Sequence, residues 1–224
     1  MSVFESVISV LAPHYCISCG QEGTLLCNDC INTIDISQAE KCYRCNKPSL
    51  GSQTCKSCRS KTSLDHVYIR SEYQGLSKEL VQMLKFKRVK QASRVIADLL
   101  IEALPKSLEG LVIVAVPTAS SRYRQRGYDQ SVLIAKHLSK ITGLPFYPCL
   151  KRVGQTRQVG TKKSLRQEQM KNAFRVVNKE KIIGSKILLI DDVLTTGSTL
   201  ESAARVLQSA GAKSVDGLVF AKAK

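Results

Sequence analysis

Ile187-Leu188-Leu189-Ile190-Asp191-Asp192-Val193-Leu194-Thr195-Thr196-Gly197-Ser198-Thr199 joins four aliphatic residues, two adjacent acids and a hydroxyl-rich turn around a glycine. The aliphatic run reads as a buried strand that fixes the acids at a sheet edge. The turn offers backbone N–H groups and hydroxyls to a phosphate, at the positive end of the helix that follows. Gly197 lets the backbone approach that phosphate closely. Asp191 and Asp192 would repel a bare phosphate, so they are assigned to ribose hydroxyls or to a bound cation. An N-capped helix after a strand would explain the Thr and Ser residues, but not two acids at the mouth of the strand. A Walker A loop is excluded, because the chain contains no GxxxxGK[ST].

Strands and helices alternate on either side of this stretch. Residues 62–73 read as a strand, and Leu76–Phe86 and Ala92–Leu104 as helices, with Leu80, Met83, Leu84, Ile96, Leu99 and Leu100 on their apolar faces. Leu111–Val116, bounded by Gly110 and Pro117, reads as a buried strand. A helix over Asp129–Thr142 and a short strand near Phe146–Leu150 come next. After the basic stretch and the strand at 186–190, a helix over Thr199–Ala210 leads to a last strand, Ser214–Phe220. Such alternation implies a parallel sheet with right-handed crossovers, whose ligands sit beyond the carboxyl ends of the strands. Two loops leave those ends with distinctive chemistry, at Pro117–Arg126 and at Asp191–Thr199.

Eight of the nine cysteines form CxxC pairs within 43 residues: Cys16/Cys19, Cys27/Cys30, Cys42/Cys45 and Cys55/Cys58. A CxxC turn supplies half of a tetrahedral thiolate shell, so four pairs make two closed, structural zinc sites. Disulfides are the competing reading, disfavoured in a reducing compartment. A redox CxxC comes singly beside a βαβ unit rather than in fours. Consecutive pairing would make two ribbons, with 7 and 9 residues between paired motifs and 11 between ribbons, and cross-brace pairing is the alternative. Cys149, in the apolar run Phe146–Leu150, reads as a core residue.

The 224 residues suffice for one domain of roughly 150 residues and a small appendage, here taken as 61–224 and 1–60. No segment approaches the roughly 20 apolar residues of a membrane span. Residues 1–12 lack the basic lead-in and cleavage site of a signal peptide and read as a short amphipathic helix. A cytoplasmic protein without membrane insertion is expected. The net charge of +16 lies wholly in residues 61–224, which carry 29 basic and 13 acidic residues. One cluster is Lys85, Lys87, Arg88, Lys90 and Arg94; a denser one, residues 151–175, holds eight basic residues and one acid. Such charge favours a polyanion, either nucleic acid or a phosphorylated metabolite, with a merely solvated face as the alternative.

The Asp191–Thr199 stretch resembles the signature of type I phosphoribosyltransferases that binds 5-phosphoribosyl-1-pyrophosphate (PRPP). Nearly the whole chain is similar to the ComF family (competence protein FC, GntX-like). The likeness is carried by the CxxC pairs, by Tyr73-Gln74-Gly75 leading to Leu84-Lys85-Phe86-Lys87, and by Val116-Pro117 leading to Arg122-x-Arg124-x-Arg126-Gly127-Tyr128-Asp129-Gln130. The basic loop, with Thr156, Gln158, Arg166 and Ala173-Phe174, is also similar. Asp129, Thr161 and Gln169 depart from the family pattern, in which Asn, Leu and Asn are usual.

The resemblance implies an α/β type I phosphoribosyltransferase fold, a parallel sheet flanked by helices, with a small N-terminal double zinc ribbon. It implies that Asp191 and Asp192 hold the ribose hydroxyls and magnesium, and that Thr195, Thr196, Gly197, Ser198 and Thr199 cradle the 5′-phosphate. Val116–Ser120, including Pro117 and Thr118, would form the pyrophosphate loop, and residues 151–172 a mobile basic loop that closes over the site. Lys85, Lys87, Arg122, Arg124, Arg126, Arg157, Lys162, Lys163 and Arg166 are candidates for pyrophosphate or nucleic-acid contacts, with Tyr123 and Tyr128 as stacking platforms.

Three functions compete. The first is an enzyme that displaces pyrophosphate from C1 of PRPP, with Asp191 and Asp192 stabilising a cationic ribosyl. The second, implied by the resemblance, is a PRPP-responsive protein that handles single-stranded DNA during uptake, with competence-machinery proteins as further partners. The third is a zinc-ribbon interaction protein whose α/β domain is a scaffold. The intact acids and loop argue against the third.

Overall fold

Runs of Val, Ile and Leu fit a pleated surface buried on both faces, and here they become the strands of a parallel sheet. The computed structural model describes residues 15–35, 41–153 and 173–223. Its strands are β1 (Val67–Glu72), β2 (Leu111–Ala115), β3 (Leu150–Arg152), β4 (Phe174–Val176), β5 (Lys186–Leu194) and β6 (Ser214–Lys222). Its helices are α1 (Asn28–Ile31), α2 (Lys56–Arg59), α3 (Gly75–Phe86), α4 (Ala92–Leu100), α5 (Ser120–Arg126), α6 (Gln130–Thr142) and α7 (Ser198–Ser209). The expected helix over 1–12 and most of the basic loop lie outside the described residues.

The main sheet has the order β1-β6-β5-β2, with every neighbouring pair parallel. Side chains alternate between its faces. Ile113, Leu188, Ile190, Leu218 and Phe220 pack toward α3, α4 and α6, together with Leu25, Leu26 and Ile34 of the first cysteine ribbon. Val112, Val114, Ile187, Leu189 and Val219 pack on the other face with Leu200, Ala203, Ala204 and Leu207 of α7, and with Tyr43 of the second ribbon. Each ribbon therefore joins a different side of one sheet.

Four departures from the sequence reading have physical causes. The strand near Phe146–Leu150 is split, because Pro145 and Pro148 carry no N–H for a ladder. Phe146 makes one parallel bridge to Ile113, and Leu150 opens β3, which pairs antiparallel with β4. The helix expected to reach Leu104 ends its α-turns at Leu100, and Leu104, which precedes Pro105, is extended at ψ 150°. Residues 120–126, expected as loop, form α5, whose polar sequence has no apolar period; it ends at Gly127 in the left-handed region, φ 81°. Finally, β5 runs beyond Ile190 to Leu194, because β6 continues beside it to Lys222.

Asp129 ties the fold to the site. Its side chain accepts hydrogen bonds from Ser131 N and Val132 N at the start of α6, and from Thr118 N at 2.7 Å in the loop after β2. Replacing it by Ala should lower stability by about 1–2 kcal/mol, as loss of a helix cap does. Denaturant titration would check this, and Asp129→Asn should recover most of the loss, since the amide oxygen can still accept.

Candidate functional site

β2 and β5 run side by side up to Ala115 opposite Ile190, with Val116 N donating to Ile190 O at 2.9 Å, and β5 continues to Leu194. The loops after both strands therefore leave at one carboxyl edge, the usual ligand position in such sheets. Pro117 and Thr118 lie in one loop, and Asp191 to Thr199 span the end of β5 and the start of α7.

Asp192 is buried, and its Oδ1 accepts from Lys85 Nζ of α3 at 2.5 Å. Its Oδ2 is also buried and has no hydrogen-bond partner among the described residues. Asp191 Oδ1 accepts from the Ser131 hydroxyl of α6 at 3.2 Å and from Asp192 N at 2.9 Å. Burial, and then repulsion by Asp192, hold the Asp191 carboxyl well above the usual carboxylate range. Asp129 is raised as well, by burial first and with a smaller push from Asp192. Two adjacent acids thus stand at one edge, with Asp129 near enough to feel the charge of Asp192, and a carboxylate oxygen there lacks a partner among the described residues. Carboxylate oxygens suit a hard divalent cation, and equally a ligand hydroxyl.

The turn after β5 presents its polar groups outward. Thr195, Thr196 and Ser198 are exposed, and the Thr196 and Ser198 hydroxyls lie 2.9 Å apart. Gly197 caps α7 from the left-handed region at φ 75°, which explains the glycine through its backbone. The close approach expected at this residue is present, but to a protein side chain: a Cβ built on Gly197 would lie 3.1 Å from Tyr43 Cε2. The first turn of α7 follows directly, with Ser198 N donating to the Thr196 hydroxyl at 3.4 Å, and a helix N-terminus beside hydroxyls is chemistry that takes up an anion.

The basic candidates divide into three sets. Lys85 and Arg126 sit inward. Arg126 is 8% exposed, donates to Gln130 Oε1 at 2.8 Å and lies over the Phe86 ring. Burial draws its pKa down, and Asp192 works in the opposite direction. Lys87, Arg122 and Arg124 are exposed on the rim. Arg157, Lys162, Lys163 and Arg166 lie outside the described residues, on the segment that leaves through β3 and returns through β4. Tyr123 is 51% exposed, as a stacking platform requires. Tyr128 is not available for that role: it is 5% exposed, its hydroxyl donates to Leu84 O, and Lys90 lies over its ring. Sequence reasoning missed Ser131 and the exposed Phe86, which have ordinary helical spacing, and Tyr43, whose place depends on the tertiary fold.

The cysteines gather consecutively. Cys16, Cys19, Cys27 and Cys30 form one group and Cys42, Cys45, Cys55 and Cys58 the other, with the sulfurs of each within 4.8 Å of one another. A zinc ion bound at about 2.3 Å to four thiolates sets its sulfurs roughly 3.8 Å apart. Cys19–Cys27 and Cys45–Cys55 are both at 3.6 Å. Backbone N–H groups of Cys19 and Cys27 draw the Cys16 thiol below its ordinary value, and the Ser57 hydroxyl does the same for Cys55. Both groups fit zinc with no coordination position left open. Cys149 is buried apart from them, and burial pushes its thiol up to about 11.

Residues 87–224 match the family described as "Phosphoribosyl transferase domain". The chain is 29% identical over 198 residues to competence protein ComFC of Streptococcus pneumoniae, covering 87% of this chain and 86% of that one. It is 30% identical to competence protein F of Haemophilus influenzae, covering 84% and 93% respectively. To the DNA utilization protein YhgH of Salmonella typhimurium it is 30% identical, covering 85% and 87%.

Proposed function

Because this chain belongs to the ComF family of phosphoribosyl transferase domain proteins, we propose that it binds PRPP with magnesium and works in DNA uptake, handling single-stranded DNA. In this reading residues 61–224 bind the ligands and residues 1–60, with two structural zinc ions, support them. The observation that carries it is the buried Asp192 Oδ2, without a partner among the described residues, on the acid pair that leads into the Thr195–Thr199 turn and meets Lys85.

Each group has a task that follows from its chemistry. The Thr195, Thr196 and Ser198 hydroxyls and the first N–H groups of α7 take the 5′-phosphate. Asp191 and Asp192 accept from the ribose hydroxyls and face the positive charge that grows at C1 as pyrophosphate departs. Magnesium, when bound, neutralises the pyrophosphate oxygens. Lys85, which pairs with Asp192 Oδ1, would be free to meet the anionic ligand were Asp192 to hold a cation instead. Arg122 and Arg124 on the rim, with the basic loop beyond β3, add charge against the leaving group and exclude water.

The names of the relatives favour DNA handling over salvage of free bases. Salvage remains the second reading, because both acids of the signature and its whole turn are present. Pyrophosphate release from PRPP, measured with and without nucleobases and single-stranded DNA, separates the two. Release that needs a base points to salvage, and binding without base-dependent release points to a PRPP-responsive DNA-handling protein. Binding to single-stranded DNA should weaken with salt, log K falling by about 0.7 per phosphate contact for each unit of log salt. Replacing Lys162, Lys163 and Arg166 together by Ala should flatten that slope by about two units. An unchanged slope would remove this loop from the DNA-binding surface.

A further inference from the structure

The turn after β5 is held from outside the α/β sheet. Tyr43 follows the zinc-site residue Cys42, is buried, and lays its ring on Gly197, where a Cβ would come within 3.1 and 3.4 Å of two ring carbons. Its hydroxyl donates to Glu201 Oε2 at 3.1 Å. Glu201, in the first turn of α7, is itself buried; it also accepts from the Thr62 hydroxyl and, through Oε1, from Ser63 N at 2.9 Å. The other end of the turn is pinned by the same ribbon. Lys222, the β6 partner of Leu194, donates to Tyr43 O at 3.4 Å and to Asn46 Oδ1. Ala223 N donates to Leu194 O at 2.9 Å. Residues 195–199 are therefore bracketed at Leu194 and at Gly197–Glu201 by a ribbon folded around Cys42, Cys45, Cys55 and Cys58.

A loop that binds phosphate through N–H groups and hydroxyls needs them placed to a fraction of an ångström, and displacement by about 1 Å can lower function a hundredfold. Gly197 brings no side chain to hold its own conformation, so the Tyr43 ring supplies the packing. We propose that Tyr43 is a positioning residue for the phosphate-binding turn, which makes the second cysteine ribbon a structural part of the PRPP site. This inference rests on the PRPP reading above.

The test compares the full chain with Tyr43→Ala and Tyr43→Phe, each checked for unchanged zinc content. PRPP affinity is measured by calorimetry with magnesium, and hydrogen exchange is followed over residues 195–202 without ligand. Tyr43→Ala should weaken PRPP about tenfold, or about 1.4 kcal/mol, and speed exchange in the turn. Tyr43→Phe keeps the ring on Gly197 and should stay within about threefold of wild type in affinity, with near-normal exchange, a rescue that a general loss of stability would not give. Tyr43→Ala binding PRPP within about twofold of wild type would overturn the proposal. Should wild type bind no PRPP, the function reading fails and the exchange result alone decides: equal exchange in both proteins overturns the positioning role, and faster exchange in Tyr43→Ala upholds it.

Discussion

Stripping zinc from the protein is expected to unfold both cysteine ribbons while leaving the parallel sheet largely protected. Neither ribbon can stand on its own packing. The first offers Leu25, Leu26 and Ile34 beside its cysteines, and the helices of the two ribbons, α1 and α2, are four residues each, far below the length at which a helix holds in water. Four thiolates brought within 4.8 Å without a cation also repel one another. Zinc binding in comparable small modules contributes on the order of 10–16 kcal/mol, larger than any other single term here. Elemental analysis should find two zinc ions per chain. Cys16→Ser should loosen the segment containing Cys27 and spare the one containing Cys55, because the two groups share no ligand. Metal-free protein whose ribbons exchange as slowly as the loaded form would refute the structural role.

The second large effect is expected from Asp191→Asn combined with Asp192→Asn. The pair keeps the shape of both side chains and removes both carboxyl groups from an edge where Lys85 pairs with Asp192 and Arg126 feels its charge. PRPP binding should weaken at least about tenfold, a loss of 1.4 kcal/mol or more, because a cation and the ribose hydroxyls lose their carboxylates, which outweighs the freeing of Lys85. Thermal unfolding must be followed alongside, since separating a buried ion pair is itself destabilising. A variant that melts like wild type but binds PRPP weakly places the loss at the site. Equal affinity in the two proteins would remove the acids from ligand binding.

Much of this was legible in the residues themselves. The apolar runs at 111–116 and 187–190 could only be strands buried on both faces, and the spacing of Leu80, Leu84, Ile96 and Leu100 marked the helices that cover one of them. The CxxC spacing announced two thiolate groups, although the choice between consecutive and interleaved pairing depends on how the ribbons dock. What stayed hidden was set by tertiary contact. α5 has no apolar period because all of its residues except Arg126 are exposed. Phe146 was read with Leu150 as one strand because apolar character does not register Pro148 within the run or Pro145 just before it. Asp192 looked like one of a pair of ligands, yet its contact with Lys85, 107 residues earlier, has no local signature. Tyr43 is the clearest case. Between two zinc-ligand cysteines an aromatic residue reads as packing within its own ribbon, and only the fold carries it 158 residues along the chain to Glu201.

The central claim is that the edge formed by Asp191, Asp192 and the Thr195–Thr199 turn takes PRPP through a divalent cation. Titrating PRPP calorimetrically into the zinc-loaded full chain, with magnesium and then with the magnesium replaced by sodium at equal ionic strength, tests it most directly. Saturable binding of one PRPP per chain is expected, lost or weakened at least about tenfold without magnesium. No binding in either condition, or binding of equal strength in both, would contradict it.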